Sequence, residues 1–208
     1  MPRIVTGGSF METIKEASRF FMKTDDVHDA LARVTRRLAE EGIDYALIGG
    51  MALVAHGFVR FTSDVDILIT PEGLRAIHER LVGRGYVPLF PGARKALRDT
   101  VNGTKVEFIT AGEYPGDGKP KPVRFPDPAE ASLDMQGTRV ITLEKLIELK
   151  LASGLSNRDR LRDLADVQDL IRALELPLDL AERLDPSVRD TYVEYWHAIQ
   201  NAQGPDRE

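Results

Sequence analysis

Residues 48–70, IGGMALVAHGFVRFTSDVDILIT, decide the fold of this chain. The two adjacent glycines follow an apolar run and predict a turn from a strand into a short helix, and the β-rich run SDVDILIT predicts a second strand. Side chains alternate between the two faces of a strand, so Asp64 and Asp66 share one face while Val65, Ile67 and Ile69 share the other. Two like charges on one strand face indicate a site for something cationic.

The two aspartates are candidate metal ligands. Carboxylates at this spacing raise each other's pKa, and a divalent metal ion reverses the sign of that interaction. Mg²⁺ prefers carboxylate oxygens and keeps coordination positions for water and phosphate. Glu107 in TKVEFIT offers a third carboxylate, which converges with the other two if its strand lies beside the aspartate strand. The Asp-x-Asp pattern alone is also compatible with an exposed strand face or a turn.

The Gly49-Gly50 turn is a candidate phosphate-binding element. Glycine lets the backbone approach a ligand closely, and the first N–H groups of the following helix are free to bind a phosphate. A Gly-Gly pair alone is most often only a tight connection. Its position one short helix before the two aspartates favours the functional interpretation.

The composition limits the class of protein. The chain has 208 residues and no cysteine, which excludes disulfides and thiolate metal sites and favours a reducing compartment. No apolar run approaches the roughly 20 residues of a membrane span. The N-terminal stretch MPRIVTGGSFMETIKEASRF lacks the apolar region of a secretory signal. We therefore expect a cytoplasmic protein that does not act at a membrane.

The net charge is −5, but the charge is unevenly distributed along the chain. In the middle segment, residues 84–124, the bases are Arg84, Arg94, Lys95, Arg98, Lys105, Lys119, Lys121 and Arg124. The acids of the same segment are Asp99, Glu107, Glu113 and Asp117. A locally positive segment in an acidic protein could bind a phosphate-bearing partner, or it could be an ordinary solvated surface.

The periodicity along the chain predicts a mixture of helices and strands. Amphipathic helices are expected over residues 24–42 and from Pro71 onwards, and strands are expected in IDYALIG, SDVDILIT and TRVITL. Asn102-Gly103 predicts a hairpin turn with positive φ at both positions. Residues 111–130 are rich in proline and glycine and predict a loop, and only helices are expected after it and the TRVITL strand.

We expect an α+β fold organised in four parts. An N-terminal arm or short helix occupies residues 1–23. A core over residues 24–141 contains a small mixed β-sheet flanked by helices. A helical C-terminal region follows over residues 142–202, and residues 203–208 form a disordered tail.

These motifs together resemble the nucleotidyltransferase superfamily related to DNA polymerase β. Its signature is a Gly-Gly or Gly-Ser turn at a helix start, then Asp-x-Asp on the next strand, then a third acid on a later strand. The spelling GGMALVAHGFVRFTSDVDIL is most similar to the abortive-infection nucleotidyltransferase toxins (AbiEii-like), whose Arg-x-Thr-x-Asp-x-Asp pattern is matched by Arg60, Thr62, Asp64 and Asp66. That group also has a later lysine and an Arg-Asp-x-x-Asp helix, matched by Lys150 and by Arg162-Asp163 with Asp166. The third acid is Asp in many relatives, so Glu107 departs from the usual pattern of the superfamily.

The resemblance implies an activity and a role for each matched residue. It implies Mg²⁺-dependent transfer of a nucleoside monophosphate from a nucleoside triphosphate (NTP) to an acceptor hydroxyl, with two metal ions, for which Mn²⁺ can substitute. The implied catalytic and metal-binding residues are Asp64, Asp66 and Glu107. The implied nucleotide-binding residues are Gly49, Gly50, Arg60, Thr62, Lys150 and Asp163. It also implies a toxin that acts on tRNA and is paired with an antitoxin protein.

Several alternatives remain open at this stage. The chain could be a non-catalytic nucleotidyltransferase-like binding or regulatory protein, although an intact acid triad argues against that, or an enzyme that modifies a small-molecule antibiotic. Lys150 borders an apolar helix stripe, where it could meet a phosphate or lay its aliphatic stem on the core. Asp163 could orient Lys150 or a base, and Arg60 could bind phosphates or be a surface arginine.

Overall fold

The structure is a computed structural model that describes residues 26–58 and 60–202. The expected N-terminal arm, residues 1–23, and the expected tail, residues 203–208, lie outside these described residues. The proposed division into four parts stays a prediction.

Seven strands form one mixed sheet in the order β3-β4-β5-β2-β1-β7-β6. The strands are β1 (Tyr45–Ile48), β2 (Asp64–Ile69), β3 (Tyr86–Pro88), β4 (Ala96–Asp99), β5 (Lys105–Thr110), β6 (Ser132–Met135) and β7 (Thr138–Ile141). Strand β2 lies at the centre, antiparallel to β1 and parallel to β5. The mixed sheet with its flanking helices confirms the α+β class.

Helices cover the sheet and make up the chain after β7. Residues 26–40 are helical (α1). The others are α2 (Gly49–Ala55), α3 (Pro71–Arg80), α4 (Pro128–Ala131), α5 (Leu143–Ser156), α6 (Leu161–Ala173) and α7 (Pro186–Ala202), with short 3₁₀ turns at Arg158–Arg160 and Leu178–Arg183. Within the described ranges, none of these helices is long and apolar enough to cross a membrane.

Strand β2 has one solvent-accessible face, and that face is accessible only in the first half of the strand. Asp64 and Asp66 are partly exposed, whereas Val65 and Ile67 on the opposite face are fully buried. Leu68 lies on the aspartate face but is also fully buried. The solvent-accessible part of this sheet face is therefore limited to the two carboxylates and their neighbours on adjacent strands.

Helix α5 is the central helix of the region that follows the sheet. Thr142 caps its first turn by accepting a hydrogen bond from Lys145 N, and every residue from Leu146 to Gly154 is buried. A Cβ added at Gly154 would lie 2.4 Å from Leu164 Cγ, so this glycine allows α5 and α6 to pack closely. Close packing of α6 on α5 positions the polar side chains that the two helices direct towards each other.

The β4–β5 hairpin forms as expected, but its turn differs from the prediction. Asp99 N donates to Thr104 O and Gly103 N donates to Asp99 O, both at 2.9 Å. Gly103 has a φ of 78°, whereas Asn102 is not among the described residues with positive φ. The longer loop needs only its last residue in the left-handed region. Asn102 instead donates its side-chain amide to Asp26 O at 2.7 Å, which joins the hairpin to α1.

The sequence analysis missed three short elements, β3, α4 and β6. The loop prediction is wrong at its end, because Pro128–Ala131 is a helical turn whose N-cap, Asp127, accepts a hydrogen bond from Ala129 N. The β6–β7 turn is the two-residue type that had been expected at Asn102-Gly103. Gln136 and Gly137 both have positive φ, 54° and 86°. Gln is a rare choice at such a position, so its sequence signal is weak.

A buried ion pair fastens α1 to the β4 edge of the sheet. Arg33 Nε donates to Asp99 Oδ2 at 2.8 Å, and the carboxylate also accepts from Val101 N at 2.8 Å. Asp99 is only 1% exposed. By contrast, Glu40 pairs with Arg36 and Arg37 on the exposed surface of α1.

We expect Asp99→Ala to lower the free energy of unfolding by roughly 2–3 kcal/mol, because it leaves the partly buried Arg33 guanidinium unpaired. Glu40→Ala removes exposed ion pairs and should change stability by less than about 0.5 kcal/mol. Urea denaturation of the two variants measures the difference. Equal effects would mean that the Arg33–Asp99 pair does not hold α1 in place.

Candidate active site

The parallel pairing of β2 and β5 brings the three predicted acids together. In the register of the two strands Asp66 lies opposite Glu107, and Asp64 lies opposite Lys105. Asp66 also lies opposite Ile48, the last residue of β1. The convergence that the sequence analysis made conditional on this pairing is thus present.

Asp66 is the inner member of the group and feels the other two acids. Burial, followed by the negative charges of Glu107 and Asp64, raises the pKa of its carboxyl to about 6, although the charges of Lys105 and Lys150 lower it in part. A carboxylate in this position is stabilised by any cation that approaches it. The site therefore favours positive charge.

The two glycines of the β1–α2 turn each make room for one residue of the motif. A Cβ on Gly49 would lie 2.1 Å from Asp66 Oδ2, and Gly49 has a φ of 65°. A Cβ on Gly50 would lie 2.8 Å from Oγ1 of Thr62. Thr62 in turn donates to Asp64 O at 3.2 Å. The Gly-Gly pair is thus required by the close approach of the aspartate strand and the segment before it.

An ammonium group lies between the two outer acids. Lys105 Nζ is 3.4 Å from Asp64 Oδ2 and also donates to Glu107 Oε2. Ser63 adds a hydrogen bond to Asp64 Oδ1 at 3.0 Å. With the side chains in these positions, no three His, Asp or Glu residues of the described chain are placed to hold a metal ion.

The donor set nevertheless suits Mg²⁺. Three carboxylates on adjacent strands offer the oxygen ligands that this ion prefers. Burial is the largest cause of the raised pKa of Asp66, and the charges of Glu107 and Asp64, which a divalent cation would compensate, add to it. Lys105 already provides one positive charge at this place. Asp64, Asp66 and Glu107 are therefore the residues that could hold a metal ion.

A second charged group is buried between α5 and α6. Lys150, only 6% exposed, donates to Asp163 Oδ1 at 2.9 Å and to Asp166 Oδ2 at 2.6 Å. Ser153 donates to the other oxygen of Asp163 at 2.7 Å. The expected contact between Asp163 and Lys150 is therefore present. The anion that Lys150 requires is supplied by the protein itself.

Arg60 does not reach the three acids. Its guanidinium pairs with Asp166 Oδ2, so it connects the segment before β2 to α6. Its predicted role in phosphate binding stays a prediction. Thr62 lies closer to the acids, and its hydroxyl bonds the Asp64 carbonyl.

One cavity of about 380 Å³ joins the two charged groups. Its polar wall contains Gly49, Asp66, Glu107, Lys150 and Asp163. Its lining does not include Asp64, Gly50, Arg60 or Thr62. The cavity thus contains both an acidic and a basic end within one space.

The loop after β5 closes one side of this cavity. Tyr114, Pro115 and Gly116 line it, together with Phe125 at the end of the loop. The base of the loop is paired by Gly112 N to Phe125 O and Phe125 N to Glu113 O, both at 2.8 Å. A Cβ on Gly116 would lie 2.6 Å from Ser153 O, so the loop packs directly against α5. The cavity is therefore roofed by proline, glycine and aromatic residues that the sequence analysis described only as loop.

Sequence reasoning assigned no role in the site to two charged residues, Lys105 and Asp166. Lys105 alternates with Glu107 on the same strand face, which was visible in the sequence, but its bond to Asp64 depends on strand pairing. Asp166 borders an apolar stripe and was matched to the family motif, but its partners Lys150 and Arg60 come from distant parts of the chain. Only the packing of α6 reveals that it links them.

Comparison with known families agrees with this geometry. A family model described as an uncharacterised nucleotidyltransferase matches residues 8–191. The chain belongs to this nucleotidyltransferase family. No curated protein matches the chain in sequence. The more specific AbiEii-like resemblance stays a prediction.

Several solved structures resemble this one at low sequence identity. TM1012 from Thermotoga maritima, assigned to the nucleotidyltransferases, is 21% identical, with 68% of this chain and 94% of that one covered and a TM-score of 0.49. JHP933 from Helicobacter pylori is 18% identical, with 85% and 97% covered and a TM-score of 0.43. The antibiotic-resistance factor ANT(2″)-Ia is 15% identical, with 86% and 95% covered and a TM-score of 0.41.

We expect Gly49→Ala to destabilise the protein more than Gly42→Ala. Gly42 has a similar φ of 64° but nothing within 4 Å of an added Cβ, so its substitution costs only the backbone strain of roughly 1–2 kcal/mol. At Gly49 the added methyl also meets the Asp66 carboxylate, which adds roughly another 1–3 kcal/mol. Denaturant titration of both variants measures the two costs. Similar losses of stability in the two variants would show that the Asp66 side chain moves away from the added methyl group without cost.

We expect Asp66→Asn to stabilise the metal-free protein at neutral pH. The raised pKa means that the folded protein resists ionisation of Asp66, so the stability of the native chain falls as pH rises from about 4 through about 6. Asn does not ionise, so its advantage grows from near zero at low pH to roughly 3 kcal/mol above pH 7. The unfolding free energies of Asp66→Asn and of the native chain, measured in EDTA across this pH range, give the difference.

Asp185→Asn is the control for this effect. Hydrogen bonds from the side chain and backbone of Ser187 lower the pKa of Asp185, so its ionised form is favoured in the folded protein. Its amide variant should lose stability relative to the native chain as pH rises. A difference of the same sign for both variants would contradict the assigned environment of Asp66.

Proposed function

We propose that this chain is a Mg²⁺-dependent nucleotidyltransferase that moves a nucleoside monophosphate from an NTP to an acceptor hydroxyl. The observation that carries the proposal is the register of β2 and β5, which aligns Asp66 with Glu107 beside the Gly49 turn. Three neighbouring carboxylates, one of them a largely buried Asp66 with a raised pKa, are unfavourable for folding alone. Their arrangement is understandable if they serve a cation and a phosphorylated substrate.

The acids have separate tasks in this proposal. Asp64, Asp66 and Glu107 would hold the metal, which supplies charge compensation for the triphosphate and polarises the α-phosphate. The side chain of Glu107 is 42% exposed, against 37% for that of Asp64. An exposed carboxylate suits contact with an incoming acceptor, so Glu107 would position the acceptor hydroxyl and accept its proton.

The reaction itself is a displacement at phosphorus. The acceptor oxygen forms a bond to the α-phosphorus of the NTP while the bond from that phosphorus to the bridging oxygen breaks. Pyrophosphate leaves with the electron pair of the broken bond, and the hydroxyl proton passes to Glu107. The protein contributes mainly positioning and charge compensation to such a step.

The cavity suggests how the nucleotide is held. The backbone at Gly49 borders it beside Asp66, and glycine lets a phosphate approach the main chain. Lys150 lies at its basic end and carries three N–H donors, of which two bond Asp163 and Asp166. A nucleotide phosphate would add to these contacts without replacing them. The predicted contributions of Gly50, Thr62 and Arg60 are then indirect, through the residues that they contact.

For the acceptor we propose the 3′ end of a tRNA, with the chain acting as a toxin that an antitoxin protein restrains. The AbiEii-like resemblance implies this acceptor and this partner. In the middle segment, the exposed bases are Arg84, Arg94, Arg98, Lys119 and Arg124. The remaining three, Lys95, Lys105 and Lys121, pair with acids of the protein. The positive charge of the middle segment that is free to bind RNA is thus smaller than the sequence indicates.

The proposal predicts nucleotide transfer that depends on the acids. The purified chain is incubated with Mg²⁺ and each α-labelled NTP, with total tRNA in one arm and aminoglycosides or lincosamides in another. We expect label in the tRNA fraction, reduced at least about 100-fold in Asp66→Asn and Glu107→Gln. Asp190→Asn, an exposed carboxylate on α7, should retain full activity.

The arms of the assay separate the alternatives. Label in an antibiotic and none in tRNA would replace the acceptor and leave the enzyme class intact. No transfer in any arm, together with no Mg²⁺-dependent NTP binding by calorimetry, would contradict the catalytic proposal. Transfer that survives in Asp66→Asn would contradict the assignment of the acids.

A further inference from the structure

Lys105 occupies a place between acids where a cation is required by the proposed function. It lies opposite Asp64 in the strand register and two residues before Glu107, so its side chain leaves β5 on the same face as both acids. Its Nζ reaches both carboxylates. The pairing of two central strands therefore builds this contact, which is not a chance meeting of mobile surface side chains.

The ammonium is held by both outer carboxylates. Lys105 Nζ donates to Asp64 Oδ2 and to Glu107 Oε2. Charge-assisted hydrogen bonds to two carboxylates are stronger than neutral ones. Any other cation that binds Asp64 and Glu107 must first compete with this one.

The compensation by Lys105 is incomplete. One ammonium faces three carboxylates, and it bonds only the outer two, Asp64 and Glu107. The site thus keeps negative charge for a divalent ion, while Lys105 opposes the entry of that ion.

We propose that Lys105 is a positioning residue that stands in for the metal between Asp64 and Glu107 and weakens metal binding until a nucleotide is present. The inference rests on the proposed function of the three acids. A triphosphate offers Lys105 an alternative anion and carries a divalent ion with it. The ion and the nucleotide then load together, and Lys105 leaves the carboxylates as they do so.

This role has a clear consequence for metal affinity. In the absence of nucleotide the native chain binds a divalent ion weakly, because binding must break two charge-assisted hydrogen bonds of Lys105. Removing the ammonium frees both outer carboxylates and removes a repelling positive charge. Metal binding without nucleotide should therefore become tighter, whereas loss of an ordinary structural lysine would leave it unchanged or weaken it.

The test is the affinity for Mn²⁺ in the absence of nucleotide, measured from the spectrum of the free ion or by calorimetry. We expect Lys105→Met to bind Mn²⁺ at least roughly tenfold more tightly than the native chain, since a unit charge a few ångströms away is removed. Lys105→Arg keeps the charge and should bind as the native chain does. With a non-hydrolysable NTP present, the difference between the native chain and Lys105→Met should shrink.

Two further variants control the measurement. Lys95 also lines the cavity but pairs with Glu113 and contacts none of the three acids, so Lys95→Met should leave Mn²⁺ affinity unchanged. Adding Asp66→Asn to Lys105→Met should remove the gain, which locates the bound ion. Thermal unfolding of each variant in EDTA verifies that the compared proteins are folded.

The outcomes distinguish this inference from the proposed function. Equal Mn²⁺ binding by the native chain and Lys105→Met, lost in Asp66→Asn, would overturn the role of Lys105 and leave the metal site standing. Tighter binding by Lys105→Arg as well would overturn it, because the positive charge would then be irrelevant. No Mn²⁺ binding even by Lys105→Met would also overturn it, and the labelled-nucleotide assay would then decide the metal site independently.

Discussion

Repulsion among carboxylates on two adjacent parallel strands is the constraint on which the rest of this structure depends. Asp66 and Glu107 face each other across the β2–β5 pair, with Asp64 one step away on the same face. Such a group is unfavourable unless positive charge is near. Burial first, and then the charges of Glu107 and Asp64, raise the pKa of Asp66. The surrounding residues supply positive charge and space at this point of the sheet.

The positive charges that compensate the three carboxylates come from separate parts of the chain. Lys105 bonds the outer acids from within the sheet, while Lys150 approaches Asp66 from α5 across the cavity. Lys150 is itself balanced by Asp163 and Asp166, and Arg60 returns from the segment before β2 to Asp166. Ion pairs thus connect α5, α6 and the segment before β2. Removing one member leaves a buried charge without its partner, so the set constrains how α6 packs.

The sequence predicted those parts of the site that depend on local pattern. Strand alternation placed Asp64 and Asp66 on one face, and the hydrophobic periodicity marked the helices that flank the sheet. The elements β3, α4 and β6 escaped it. Tyr86 is the only buried residue of β3, and β6 has no buried residue, so neither strand shows a clear apolar alternation. The Asn102-Gly103 signal correctly located a hairpin, but the side chain of Asn102 bonds α1 and the loop takes another geometry. A distant contact decided the conformation of that turn.

The sequence by itself determined the chemistry available to this protein: three acids, a Gly-Gly turn and a later lysine, in an order that identifies the nucleotidyltransferase family to which the chain belongs. Tertiary structure decided which charges meet. It placed Lys105 between two acids, gave Lys150 two aspartates, and turned Arg60 towards α6. The physical reason is that strand register and helix packing bring together residues as far as 106 positions apart, and local sequence does not encode such pairings.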